Sequence, residues 1–165
     1  MAFPINLTGL TTREAITDAV YRCTLAFDTG DAKLLESATT DDAIVNLNGI
    51  MLARPVASLL AIGISGLDDI RTKVLGSVGK LDTTHLATNL RIDIKSESEA
   101  YVTTSFLAQH YRQGEGRNPA ATRFLVGGMY FIDMIKDEKD GLWKSKHWKV
   151  QITWNEGDGS VMPGR

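Results

Sequence analysis

The sequence predicts an α+β fold in which helices come first and a strongly curved sheet follows. Three observations carry this expectation: a helix-start signal at Thr11 to Glu14, an apolar stripe at helical spacing behind it, and four long runs of β-branched and aromatic residues filling the second half. Helices followed by a block of strands give a layout in which the sheet wraps the first helix and leaves a hollow between them.

Thr11 and Glu14 have the spacing of a capping box, in which a threonine oxygen and a glutamate three residues later satisfy free amide donors at a helix start. Ile16, Ala19, Val20, Cys23 and Phe27 then recur at three- and four-residue steps, and the stripe ends at Thr29 and Gly30, where glycine can take the left-handed cap. Asp31 to Ser37 reads as a short second helix, with Asp41 and Asp42 as turn acids after it. Ala43 to Leu47 reads as a strand that turns at Asn48 and Gly49 into Ile50 to Leu52, with Pro55 closing the hairpin. Val56 to Val78 reads as helical material interrupted at Gly63, Gly66 and Gly76, with Asp68 and Asp69 placed where a helix N-terminus favours acids.

Thr84 to Ile94, Ala100 to Arg112, Arg123 to Ile135 and Leu142 to Trp154 are the four strand-like runs, separated by polar turns such as Lys95 to Glu99 and Lys136 to Gly141. They predict an antiparallel meander. Gly127 and Gly128 mark a place where the sheet bends or where a ligand passes close to backbone. With no internal repeat or low-complexity stretch, residues 1–165 read as one domain, with an N-terminal arm at 1–10 and a loose tail at 155–165.

Eighteen basic and 20 acidic residues leave a formal charge of -2, and neither sign collects into a block, which argues against a nucleic-acid partner. Cys23 is the sole cysteine, so no intrachain disulfide can form. No stretch of about 18 apolar residues and no cationic leader occurs. The expectation is a cytoplasmic protein with no membrane contact. Open edges of a curved sheet and exposed apolar side chains further suggest a homodimer or homotrimer.

Three histidines occur. A hairpin centred between Glu97 and Ser98 sets His85 opposite His110, with Ala87 and Asn89 on the face of His85 and Ala108, Phe106 and Thr104 on that of His110. Small neighbours leave room for a ligand. A one-residue slip would put the two imidazoles on opposite faces. His147, among lysines, reads as solvated surface. Asp28 sits near the C-terminal end of the first helix, where a carboxylate opposes the helix dipole unless a neighbouring imidazolium offsets it. The alternative reading is an ordinary helix-ending turn with solvated acids.

No His-x-His or His-x-x-x-His pair and no nucleotide-binding glycine pattern is present, so neither a metal nor another cofactor is expected. Without one, such a pocket can move protons on a bound organic molecule, with Asp28, His85 and His110 as the catalytic set. Tyr21, Asn89 or Tyr130 could polarise a carbonyl. Phe106, Leu125, Met129, Phe131 and Trp148 are expected to supply an apolar lining. An epoxide hydrolase would instead need Asp28, Arg91 and Asp93 to converge on a water molecule, and a non-catalytic binding or assembly module would need none of them.

Thr12 to Ile16 opening the helix, Phe27 to Asp31 closing it, Thr84-His85 opening the long strand, and Gly141 to Lys144 before the last one resemble the SnoaL-like group of the nuclear-transport-factor-2-like superfamily, which includes scytalone dehydratase and bile acid 7α-dehydratase. The resemblance implies a cone-shaped α+β barrel of cystatin-like type. It also implies a dehydratase, isomerase or cyclase acting on a polyketide- or terpenoid-like hydrophobic small molecule in secondary metabolism, with Asp28, His85 and His110 matching the family aspartate and histidines. The sequence departs from the pattern elsewhere. Family tyrosines fall at Phe27, Leu47 and Cys23, a serine and an asparagine near Gly128 and Tyr130, and an arginine at about Thr153.

Overall fold

The computed structural model describes residues 3–48 and 63–163. Helix α1 (Thr12–Thr29) starts at the expected capping box: the Glu14 N–H donates to Thr11 Oγ1, and Glu14 Oε2 accepts from the Thr11 N–H at 2.7 Å. It ends at Gly30, whose φ of 66° is the left-handed cap that glycine adopts without a Cβ clash. Ile16, Ala19, Val20, Cys23 and Ala26 form its buried stripe. Helix α2 (Ala32–Ala38) is capped by Asp31, whose Oδ1 accepts from the N–H groups of Lys33 and Leu34.

Arg22 pins these elements together from inside the stripe. It is 3 % exposed and pairs through Nε with Asp18 at 2.7 Å. Its fork also donates to the Ser37 carbonyl at the end of α2, to Ser37 Oγ and to the Trp143 carbonyl. A buried guanidinium is stable only when so fully satisfied.

Strand β1 (Thr39–Asn48) follows α2 directly, so Asp41 and Asp42 lie inside the strand and not in a turn before it. Both side chains are exposed there: Asp42 accepts from Thr40 Oγ1, and Asp41 pairs with Lys139. Strand β2 (Ile64–Ser65) pairs antiparallel with β1. The expected hairpin partner Ile50 to Leu52, Pro55 and the start of the Val56 segment lie outside the described residues. Residues 67–78 form one helical segment, α3, in which Ile70–Leu75 takes the wider π winding. Gly76 continues this helix and does not break it, because its φ of -61° is helical.

Strands β3 (Asp82–Ile94), β4 (Glu99–Tyr111), β5 (Arg123–Lys136) and β6 (Trp143–Gly157) match the four expected runs closely. The sheet has the order β2-β1-β6-β5-β4-β3, with β1 parallel to β6 and every other pair antiparallel. It is therefore mixed at β1, while β3 to β6 form the meander. Strict alternation along β4 buries Ala100, Val102, Thr104, Phe106, Ala108 and His110 on one face. The helices cover that face. The tail expected to be loose is partly tied down: Gly159–Val161 forms a 3₁₀ turn, and Val161 is buried in the core. Among the described residues no helix is long and apolar enough to cross a membrane.

Two irregularities shape the sheet. At Gly127 and Gly128 the β5–β6 register shifts, and a Cβ on Gly128 would lie 2.1 Å from the Gln151 carbonyl oxygen. The glycine pair thus permits a bend and a close approach of the protein's own backbone. At Asn89 the backbone is left-handed, with φ 56°, and the β3–β4 register shifts between Thr88 and Arg91. Leu90 and Ile92 pack inward beyond that point, while His85 and Ala87 do so before it.

Candidate active site

His85 stands on β3 opposite Ala108, and His110 on β4 opposite Thr83. The register differs by two positions from the expected pairing of His85 with His110. A slip of two preserves the face, so the imidazoles still meet on one diagonal, with ring centroids 5.3 Å apart and planes at 68°.

Asp28, at the end of α1, holds His85 at two points. Its Oδ1 accepts from His85 Nδ1 at 2.6 Å, and its Oδ2 accepts from the His85 backbone N–H at 3.0 Å. The carboxylate is 15 % and the imidazole 9 % exposed. These contacts offset the unfavourable placement of an acid at a helix C-terminus. A carboxylate can only accept, so Nδ1 carries the proton and Nε2 is the nitrogen with the basic lone pair. At His110, Nδ1 lies 2.8 Å from Thr83 Oγ1, which donates its own proton to the Gln109 carbonyl. The threonine oxygen is then the acceptor for His110 Nδ1–H.

Both histidines border a partly open cavity of about 170 Å³ lined by residues of α1, α2, α3, β1, the inner face of β3 to β6, and Met162. Phe27, Phe106, Phe124, Tyr130, Trp148 and Ile152 give it an apolar wall. Burial pushes the Cys23 thiol up to about 12, so it stays protonated there. Burial also raises the Tyr130 phenol well above its usual range, helped by the negative charge of Asp28.

Phe106, Tyr130 and Trp148 line the cavity as expected. Tyr21 does not: it is 43 % exposed on the far side of α1, one position off the buried stripe. Asn89 forms the bulge, is exposed and donates weakly to Ser105 Oγ at 3.4 Å, so it leaves the face of His85 that alternation had assigned it. Met129, with Leu125 and Phe131, occupies the outer face of β5, where Ser105 Oγ approaches the Met129 sulfur. Arg91 and Asp93 are exposed near the far end of β3, and Asp93 pairs with Lys95, so the carboxylate and arginine set of an epoxide hydrolase does not assemble. His147 is more engaged than solvated surface implies: Nε2 meets Asn46 Nδ2 at 2.7 Å and Nδ1 faces Asp133 at 3.4 Å.

The sequence reading missed the wall supplied by α3. Ile70, Val74 and Val78 line the cavity at four-residue steps, a helical signal that was present in the sequence but obscured by its glycines. Met162 was missed because a polar, glycine-containing tail carries no periodicity.

Residues 8–149 match the SnoaL-like domain family. The chain belongs to that family. A relative from Penicillium crustosum, terrestric acid biosynthesis cluster protein E, is 44% identical over 161 residues, covering 97% of this chain and 96% of its own. A candidate scytalone dehydratase of Novosphingobium aromaticivorans superposes with a TM-score of 0.70 at 25% identity, covering 93% of each chain. The dehydrochlorinase LinA-type3 of Novosphingobium barchaimii, which acts on hexachlorocyclohexane, gives a TM-score of 0.65 at 20% identity over 91% of this chain and 92% of its own, a likeness of fold alone. The curved sheet wrapped on helices is thus the SnoaL-like, nuclear-transport-factor-2-like architecture. Its neighbours include proteins of dehydratase and dehydrochlorinase type.

Proposed function

We propose that this SnoaL-like chain is a cofactor-independent acid/base lyase or isomerase acting on a small, largely apolar molecule of polyketide or terpenoid type in secondary metabolism. The observation that carries the reading is the two-point grip of Asp28 on His85, with His110 edge-on at 5.3 Å in the wall of an apolar cavity. A solvated turn acid would need none of this. The relative from a terrestric acid cluster supports the metabolic setting.

In this reading Asp28 fixes the His85 ring and stabilises the imidazolium that forms when Nε2 takes a proton from carbon beside a carbonyl. The C–H electron pair moves into a new C=C bond, and the carbonyl becomes an enolate. His110 or the protonated His85 then delivers a proton. Delivered to a β-hydroxyl, it releases water and leaves an unsaturated carbonyl compound; delivered to a distant carbon, it moves the double bond. An enolate that attacks a second carbonyl closes a ring. Apolar surface on the outer face, at Ile44, Leu86 and Trp154, supports including a homodimer or homotrimer in the proposal.

Solvent-deuterium exchange tests the common step without knowledge of the natural substrate. Cyclohexanone and 3-hydroxycyclohexanone are incubated with the protein in deuterium oxide and followed by proton NMR. We expect α-carbon exchange that His85→Gln and Asp28→Asn each slow by about 10²-fold or more while the near-UV circular dichroism is retained. Binding of these ketones with no exchange would replace the enzyme reading with a binding module.

A further inference from the structure

We propose that Tyr130 is the residue that recognises and polarises the carbonyl oxygen of the bound molecule, and that this molecule is an uncharged carbonyl compound about the size of a single substituted ring. The inference deepens the acid–base reading of the same cavity and rests on it for the reaction step.

Tyr130 sits on β5 between Thr104 of β4 and Val150 of β6, and it is 6 % exposed. Its ring is fixed on two sides. Phe106 stacks on it with centroids 4.1 Å apart and planes at 2°, and Trp148 meets it edge-on at 4.9 Å. A ring so held presents its hydroxyl at a set position. Of the four tyrosines it alone lines the cavity. There an oxygen of a bound molecule can accept a hydrogen bond from the phenol.

The surroundings define that oxygen. No Asp, Glu, Lys or Arg is among the described residues bordering the cavity, and the Cys23 thiol stays neutral. A carboxylate or ammonium placed anywhere but beside the imidazoles would be buried without a counter-charge. The phenol itself stays protonated across the neutral range, so it acts as a donor and not as a charge. A cavity of about 170 Å³ is close to the ~150 Å³ that accepts benzene in an engineered core.

The step balances on this basis. An imidazole removes the α-proton, the C–H pair forms the C=C bond, and the carbonyl π pair moves onto oxygen. The Tyr130 O–H bond to that oxygen strengthens as negative charge develops, with no proton leaving the phenol. Collapse of the enolate expels the β-hydroxyl, which departs as water with the proton held by the imidazolium.

The test combines kinetics with infrared spectroscopy on the full chain. Tyr130→Phe is expected to lower kcat for exchange of 3-hydroxycyclohexanone by about 10²-fold with KM changed little. The carbonyl stretch of bound carbon-13-labelled cyclohexanone should lie lower in frequency than in water for the wild type and return upward in the variant. Cyclohexanecarboxylate should bind at least about tenfold more weakly than cyclohexanone. If the variant does not fold, the wild-type stretch and the carboxylate comparison decide. Unchanged exchange and an unchanged stretch in Tyr130→Phe, or no lowering of the wild-type stretch, would overturn the assignment to Tyr130 even if His85→Gln is inactive. A lowered stretch lost in Tyr130→Phe, with no exchange by any form, would uphold the oxygen site and reject the acid–base reading.

Discussion

Asn89 decides which way His85 points. Beyond Asn89 the inward residues of β3 are Leu90 and Ile92, and unbroken alternation would turn Leu86 toward the cavity and His85 toward solvent. The left-handed Asn89 backbone inserts a bulge that reverses the alternation, so His85 faces His110 while Leu86 lies 50 % exposed outside.

Substitution at Asn89 should therefore act on the site from a distance. Asn89→Gly keeps access to φ 56° and should leave both stability and exchange close to wild type. Asn89→Val places a β-branched residue in that conformation and should cost about 1–3 kcal/mol. Urea melts measure the cost. Loss of ketone exchange in Asn89→Val at a urea concentration where it remains folded would mark the bulge as a positioning device. Full activity in a folded valine variant would show that His85 does not depend on it.

Asp28→Asn should reduce turnover by about 10²-fold or more, because an amide cannot stabilise the imidazolium and can present its N–H₂ to His85 Nδ1. Residues that act as a unit are non-additive. The double variant Asp28→Asn, His85→Gln should be no slower than His85→Gln alone, measured as exchange rate against the uncatalysed background. Additive losses would mean that Asp28 acts on something other than His85.

These relations set the limit of what could be read from the sequence. The capping box at Thr11 and Glu14, the left-handed Gly30 and the four long strands were legible because each rests on local chemistry or on periodicity within one element. The Asp28, His85, His110 grouping was reached in outline because two one-residue offsets cancel in parity: the hairpin pairs Ile94 with Ala100, one position from the expected centre, and the bulge at Asn89 adds the second. The register itself was not legible, since a single Asn adopting a positive φ leaves no pattern in its neighbours. Arg22 was equally hidden, since on a helix an arginine beside Tyr21 reads as solvent-facing until Ser37 and Trp143 supply carbonyls from distant elements. Met129 and Leu125 were misplaced because the sequence does not reveal which parity of β5 faces α1.

The glycine pair of β5 should separate cleanly under mutation. At Gly128 a new Cβ meets the Gln151 carbonyl at 2.1 Å and the Phe106 ring at 2.9 Å, and a paired backbone cannot yield cheaply. Gly128→Ala should cost more than about 2 kcal/mol. At Gly127 the obstacle is the Trp154 ring, 2.4 Å away but 47 % exposed and able to swing outward. Gly127→Ala should cost under about 1 kcal/mol. Thermal melts of the two variants check the order, and equal losses would mean that Trp154 is held in place.

Alkaline stability should report the two buried acids of the cavity. Cys23 titrates at 9.0 when exposed and near 12 in the fold, and Tyr130 moves upward from 10.0 in the same sense. Below about pH 9 both groups keep their protons in the folded and unfolded states and add no slope. Above it the unfolded chain releases them while the folded chain does not. The unfolded state then binds fewer protons, so stability falls as pH rises, by at most about 1.4 kcal/mol per pH unit per group. Urea melts at steps between about pH 8 and 11 should show this decline, with Cys23→Ala flattening it from about pH 9 and Tyr130→Phe from about pH 10. The native thiol should also resist Ellman's reagent until the protein unfolds, since its thiolate is suppressed and enclosed. Rapid labelling of native Cys23 at neutral pH, or a decline identical in all three proteins, would contradict the burial that sets both shifts.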